Sequence, residues 1–287
     1  MGESLLKGLL LKGVFLKAAI VVIALTACTQ SGADVAVAAG TAVSHDSAEA
    51  GDADIPRIYV DRVFEKSVDK GTNFYLNLYQ EALSMCQEAG ASTKPLSPDD
   101  EARVGTERWQ YWRVPGRLAY RVESWEFATG ETPSTACHFD LQTSEARHAY
   151  FDREKTVYLD MLTGESRVAP PKPENLGAYD LTADNDRYAA EPGWDGPNQQ
   201  AVLGQPCNEW QHGAAESICV WSAGEKWGFS AGPHADLQGG TPSTHRIDLK
   251  IDPPPNGTGA RLTTRRFNID QGIDLDEILP AEVANGM

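Results

Sequence analysis

Apolar residues along this chain change their spacing three times. A leader with Lys7, Lys12 and Lys17 precedes a short unbroken apolar run, Ala18 to Ala27. Residues 29–55, rich in Ala, Gly, Ser and Asp and without an aromatic, follow and show no period. From Pro56 onward apolar positions recur at intervals that fold. Ile58, Val60, Val63, Phe64 and Val68, then Phe74, Leu78, Leu83 and Met85, fit one or two amphipathic helices, with Gly71 between them and Gly90 as the stop. Phe74, Leu76 and Leu78 also alternate, so a strand competes for that stretch.

Beyond Arg103 the pattern predicts strands. Arg108 to Val114 and Leu118 to Trp125 flank a Pro115-Gly116 turn and read as an antiparallel hairpin. Further strands are expected at Ala136 to Leu141, Ala149 to Phe151 and Thr156 to Asp160, with a Thr163-Gly164 turn leading to Val168. Pro170, Pro171 and Pro173 break the pattern, and residues 174–200 read as a polar, turn-rich connection. A second block comprises Ala201 to Leu203, Asn208 to Trp210, Ile218 to Trp221, Arg246 to Ile251 and Arg261 to Ile269. Short strands separated by turns indicate an antiparallel sheet rather than alternating βαβ units. The fold class is α+β, mainly antiparallel β, with one or two N-terminal helices in a single domain over residues 56–287.

The N-terminal run is too short to cross a hydrocarbon core, which needs about 20 apolar residues. A basic leader, a short apolar core and small residues before a processing point describe an export signal over residues 1–27. Leu25-Thr26-Ala27-Cys28 resembles the lipobox of bacterial lipoproteins. The resemblance implies cleavage before Cys28 and acylation of that residue, palmitate included, so that several acyl chains hold a soluble domain on a bilayer. Thr29, in place of the Asp that retains such proteins at the inner membrane of enterobacteria, implies an outer-membrane location facing the periplasm. Residues 28–55 then form the anchored tether, with a root-mean-square span of roughly 30 Å.

Composition narrows the partners. The chain has 25 basic and 41 acidic residues, and without the leader 22 and 40 remain. Such a surface repels phosphate backbones, which excludes nucleic acid as a partner. Cys28 aside, Cys86, Cys137, Cys207 and Cys219 make an even set, read as disulfides in an exported protein. Four cysteines allow three connectivities. Cys207 and Cys219 flank a hairpin and are expected to pair, which leaves Cys86 with Cys137. A metal site using His138 and His212 is the competing reading, but no CxxC spacing of the zinc type supports it.

HExxH, a Walker A loop and GxGxxG are absent from the sequence, and no catalytic residue, metal or cofactor is assigned. Paired carboxylates are too numerous to single out a glycosidase pair. Asp270, Asp274, Asp276 and Glu277 alternate oxygen donors but lack a terminal-Glu calcium loop, and they read as a solvated turn, as does Asp184-Asn185-Asp186. Trp194, in a polar Pro192-Gly193 setting, is the candidate exposed contact.

Val157 to Asp160, Val202 to Trp210, Cys219-Val220-Trp221, Leu262 to Phe267 and Asp274 to Pro280 follow one another in an order that resembles uncharacterised exported proteins related to the lipoprotein-carrier half-barrel. The likeness spans about residues 104–282 and implies a curved sheet or half-barrel under helices. Two extra cysteine pairs and a longer N-terminal segment depart from it. The expected function is a non-enzymatic envelope binding module that takes a protein partner, in envelope assembly or as an immunity or inhibitor protein. The alternative is a periplasmic lipid or lipoprotein carrier, which requires an apolar cavity. A hydrolase of envelope material is the third class.

Overall fold

The computed structural model describes residues 55–129, 136–176, 193–233, 243–274 and 276–279, all within one compact unit. The expected signal peptide, Cys28, the tether and Asp184 to Asp186 lie outside the described residues.

Mostly antiparallel β-sheet, with few helices, makes up the domain. In chain order the strands are β1 (Ile58–Asp69), β2 (Thr72–Asn73), β3 (Ser92–Lys94), β4 (Thr106–Val114), β5 (Arg117–Thr129), β6 (Ala136–Asp152), β7 (Thr156–Asp160), β8 (Ser166–Ala169), β9 (Trp194–Val202), β10 (Gln205–His212), β11 (Ser217–Trp221), β12 (Asp248–Asp252) and β13 (Thr258–Ile269). Among the described residues they run β8-β7-β6-β5-β4-β1-β13-β12-β11-β10-β9, an open path whose end strands do not pair with each other. Every neighbouring pair on that path is antiparallel, and only the short β3 lies parallel to its neighbour, β6.

The stretch from Ile58 to Val68 is a strand, not the expected helix. It occupies the centre of the sheet, between β4 and β13, and both of its faces are covered. A strand buried on two sides reads as a near-continuous apolar run, so alternation is lost and helix spacing is imitated. The second predicted helix does form, as α1 (Phe74–Glu88). Asn73 caps it: its Oδ1 accepts from the N–H groups of Tyr75 at 3.0 Å and Leu76 at 3.3 Å, and its Nδ2 donates to the Val104 carbonyl at 3.0 Å. That cap satisfies two of the otherwise orphaned donors of the first turn. A single turn, α2 (Pro98–Glu101), is capped by Ser97.

Tyr79 ties α1 to the sheet. It is fully buried, meets the rings of Phe139 at 5.3 Å and Phe127 at 5.6 Å, and accepts the Leu96 N–H at 2.9 Å. A disulfide between Cys86 and Cys137 joins the same helix to β6, and a second between Cys207 and Cys219 joins β10 to β11. The segment read as polar connection is strand from Trp194 onward. Polar side chains there reflect an edge position, where one flank of the strand meets water.

The largest apolar cluster lies on one face of the sheet. Ile58, Val60, Tyr111, Leu118 and Phe151 meet Trp221, Phe229 and Leu249 there. A smaller cluster on the other face joins Tyr59, Trp112, Ala119 and Tyr150 to Ile278, in the segment after β13. Each large side chain so buried stabilises by about 1.5–3 kcal/mol.

Candidate functional site

The Pro115-Gly116 turn sets the register of β4 and β5, pairing Val114 with Arg117 and hence Gln110 with Arg121. Carried across the sheet, this register draws two neighbouring rows on opposite faces. On one face, Val60, Tyr111, Tyr120, Ala149, Tyr158 and Arg167 lie side by side from β1 to β8. On the other, Arg266, Asp61, Gln110, Arg121 and His148 lie side by side from β13 through β1 to β6. Each row lines a cavity.

The aromatic row ends in a groove of about 540 Å³ along β6, β7 and β8. Tyr120, Ala149, Tyr158 and Leu159 supply its apolar surface, with Arg147, Asp160, Glu165 and Arg167 among its charged walls. The Arg167 guanidinium stands 4.8 Å from the Tyr158 ring centroid, and the Lys172 ammonium 5.7 Å from it. Such contacts hold cations beside an apolar floor without a carboxylate partner. Leu162 and Val168, both about half exposed, extend the apolar surface to the outer edge of β8. Burial pushes the Tyr120 phenol above its ordinary value, so it stays protonated.

The polar row underlies a smaller cavity of about 240 Å³. Asp61, nearly buried, receives Arg108 in a two-point contact, Nε to Oδ1 at 3.0 Å and Nη2 to Oδ2 at 2.8 Å. The hydrogen bonds to Asp61 hold Arg108 still more firmly protonated. Gln110 Nε2 donates to the Tyr59 hydroxyl at 2.8 Å. Arg266 stands over the Tyr59 ring at 5.4 Å and Arg121 over the Trp112 ring at 5.5 Å. Asp274 and Glu277, from the segment after β13, line the same cavity opposite the sheet.

His148 closes the row. Its Nε2 lies 2.8 Å from the Ile278 carbonyl oxygen, which can only accept, so Nε2 carries the proton. Burial first, with the neighbouring Arg121 charge adding to it, pulls its pKa down to about 4.

A third polar group is sealed in the core. Arg62, Arg246 and Asp248 are all buried: Arg246 Nη2 donates to Asp248 Oδ2 at 3.0 Å, and Arg62 Nη1 donates to the Asp248 carbonyl at 3.3 Å. Arg62 also stands over the Trp109 ring at 5.7 Å.

Of the residues singled out in the sequence, Trp194 is partly buried on β9, its ring 4.8 Å from that of His212. His138 lies on the surface of β6, remote in role from His212. Asp270 turns inward on the chain: its Oδ1 accepts the Arg57 N–H at 2.9 Å, and its N–H donates to the Arg57 carbonyl at 2.8 Å. Among the described residues no group of three or more His, Cys, Asp or Glu side chains is placed to hold a metal ion. Both cavity rows escaped the sequence reading. Their signal was the hairpin: with a two-residue turn at 115–116, Gln110 and Arg121 must face each other.

No protein-family model matches the chain, and no curated protein matches it in sequence. Among solved structures it is similar to the crystal structure of a DUF1329 family protein from Desulfovibrio piger, with 8% identity and a TM-score of 0.26, over 80% of this chain and 93% of that one. A likeness of this size assigns no residue, ligand or role here.

Proposed function

We propose that this protein is an exported lipoprotein, anchored through acylated Cys28 and probed from the envelope by a protein partner that docks on its sheet without being chemically changed. The lipobox-like Leu25 to Cys28 and the two disulfides support the compartment. One observation carries the binding role: the groove along β6, β7 and β8 opens beside an edge strand, β8, that has no second neighbour among the described residues. An extended segment of a partner can add to β8 through main-chain hydrogen bonds, while alternate side chains enter the groove. Tyr120, Tyr158 and Leu162 would receive apolar side chains; Arg147, Asp160, Glu165 and Arg167 would select charge. A lining that mixes an apolar floor with charged side chains suits the alternating side chains of an extended polypeptide. The larger apolar face is already filled by the protein's own Trp221, Trp227 and Phe229.

A photo-crosslinking amino acid placed at Leu162 tests the reading in cells. A discrete protein adduct is expected, weakened at least tenfold by Tyr158→Ala, with none from the same probe at Leu203 beside the other edge. Adducts to lipid alone, or equal adducts from both positions, would overturn it.

A further inference from the structure

The smaller cavity combines unmet hydrogen-bonding groups with open space, which the sealed core group of Arg62, Arg246 and Asp248 does not. Three buried polar atoms of its wall have no hydrogen-bond partner among the described residues: Arg121 Nε and Trp112 Nε1, which are donors, and Gln110 Oε1, which is an acceptor. They cluster because Gln110 faces Arg121 across β4 and β5, and Trp112 follows two residues after Gln110 on the same face. Leaving such atoms unpaired in a folded protein costs about 1–3 kcal/mol each, so beside open space they favour a water, ion or ligand that pairs with them.

Charge around the cavity is divided rather than paired. Arg108 is committed to Asp61. Arg121 and Arg266 are held on aromatic rings, and among the described residues the Arg266 side chain donates only to the Gly272 carbonyl, at 3.1 Å. Asp274 and Glu277 face them, yet no ion pair joins either acid to Arg108, Arg121 or Arg266 among the described residues. Cations stand on the sheet side and anions on the tail side, with open space of about 240 Å³ between them. A simple anion would satisfy the arginines and meet repulsion from the two acids. A simple cation would meet the reverse.

From this we infer that the cavity binds a small zwitterion, an oxyanion and an ammonium group a few bonds apart. The carboxylate or phosphate end takes Arg121, Arg266 and the Trp112 N–H. The ammonium end takes Asp274, Glu277 and the Gln110 Oε1. The two ends together match every unpaired group named above, and charge-assisted hydrogen bonds are the strong ones in a partly dry site. Amino acids and phosphoethanolamine share this chemistry, the latter either free or as a phospholipid headgroup. The inference concerns the face opposite the groove along β8 and does not rest on the partner assigned to that groove.

Isothermal titration of residues 29–287 with glycine and with O-phosphoethanolamine tests it, beside acetate, inorganic phosphate and ethanolamine as the separate halves. At least one zwitterion should bind saturably, tenfold or more tighter than either of its halves. Arg121→Gln should weaken that binding at least tenfold. So should the double variant Asp274→Asn/Glu277→Gln, whose side chains are exposed and whose folding is checked by its thermal transition. Flotation on phosphatidylethanolamine vesicles separates the sources: co-flotation reversed by O-phosphoethanolamine marks a headgroup, and solution binding without flotation marks a free solute. Equal binding of zwitterions and halves, or full binding by the double variant, would overturn the inference.

Discussion

His148 Nε2 and the Ile278 carbonyl meet at 2.8 Å across 130 residues of sequence, pinning the segment after β13 to β6, the third strand from the β8 edge. The bond needs only the neutral imidazole. Burial keeps the ring in that form down to about pH 4, against an ordinary value of 6.5. Because the folded value is the lower, the unfolded chain binds more protons in between. The contribution is whole above about pH 6.5 and is lost progressively as pH falls toward 4. Its full size is about 3 kcal/mol. Urea unfolding at pH 7.5, 6 and 5 should show His148→Gln, which keeps an amide donor for Ile278, losing less stability on acidification than the parent. Parallel losses in the two proteins would refute this role.

The two disulfides differ in exposure. Cys207 and Cys219 are buried, whereas Cys86 and Cys137 are partly open to water. Mild reductant under native conditions should therefore open Cys86–Cys137 first, as read by alkylation and peptide mass mapping. Removal by paired Ser substitution should cost about 4 kcal/mol for the 51-residue separation and about 3 kcal/mol for the 12-residue one in the chain-entropy relation. Prior opening of Cys207–Cys219 would contradict the order.

Asp248 is the single buried carboxylate between Arg62 and Arg246 in the core. Burial pulls the Arg62 guanidinium below its ordinary value, and Asp248 opposes that shift. Asp248→Ala should destabilise by about 3–5 kcal/mol, since it strands a desolvated charge. Lys250→Ala, at an exposed pair with Asp252, should cost under about 1 kcal/mol. Chemical denaturation of both variants decides; comparable losses would show that Asp248 acts through packing alone.

The acylation proposed for Cys28 predicts a specific failure. Cys28→Ser should lose the acyl mass and move from the membrane fraction to the periplasm, while the domain keeps its thermal transition. A variant that remains membrane-bound would defeat the anchor.

Much of the sheet was legible in advance, because hairpins announce themselves locally. The Pro115-Gly116 and Thr163-Gly164 turns, with their flanking strands, stand where the spacing put them. Two kinds of element were not legible. β1 is buried on both faces, so its periodicity is erased by the neighbours that cover it. β9 is exposed from Asp195 to Ala201, so apolar spacing marks only its end, at Ala201 and Val202. The cavities were illegible for a related reason: Asp61, Gln110, Arg121 and Arg266 lie on four strands and converge only once the register is known.

The pairing of β1 with β13 has a temporal side. Val60 lies against Phe267, so the first long strand of the domain waits for the last. The β4–β8 hairpins can form as they are made, but among the described residues the two wings of the sheet are hydrogen-bonded only through this central pair. Loop closure over such a span is slow. A chain built this way cannot close its central pair until Phe267 has been made. Until then it stays threadable, as the export proposed for it would require.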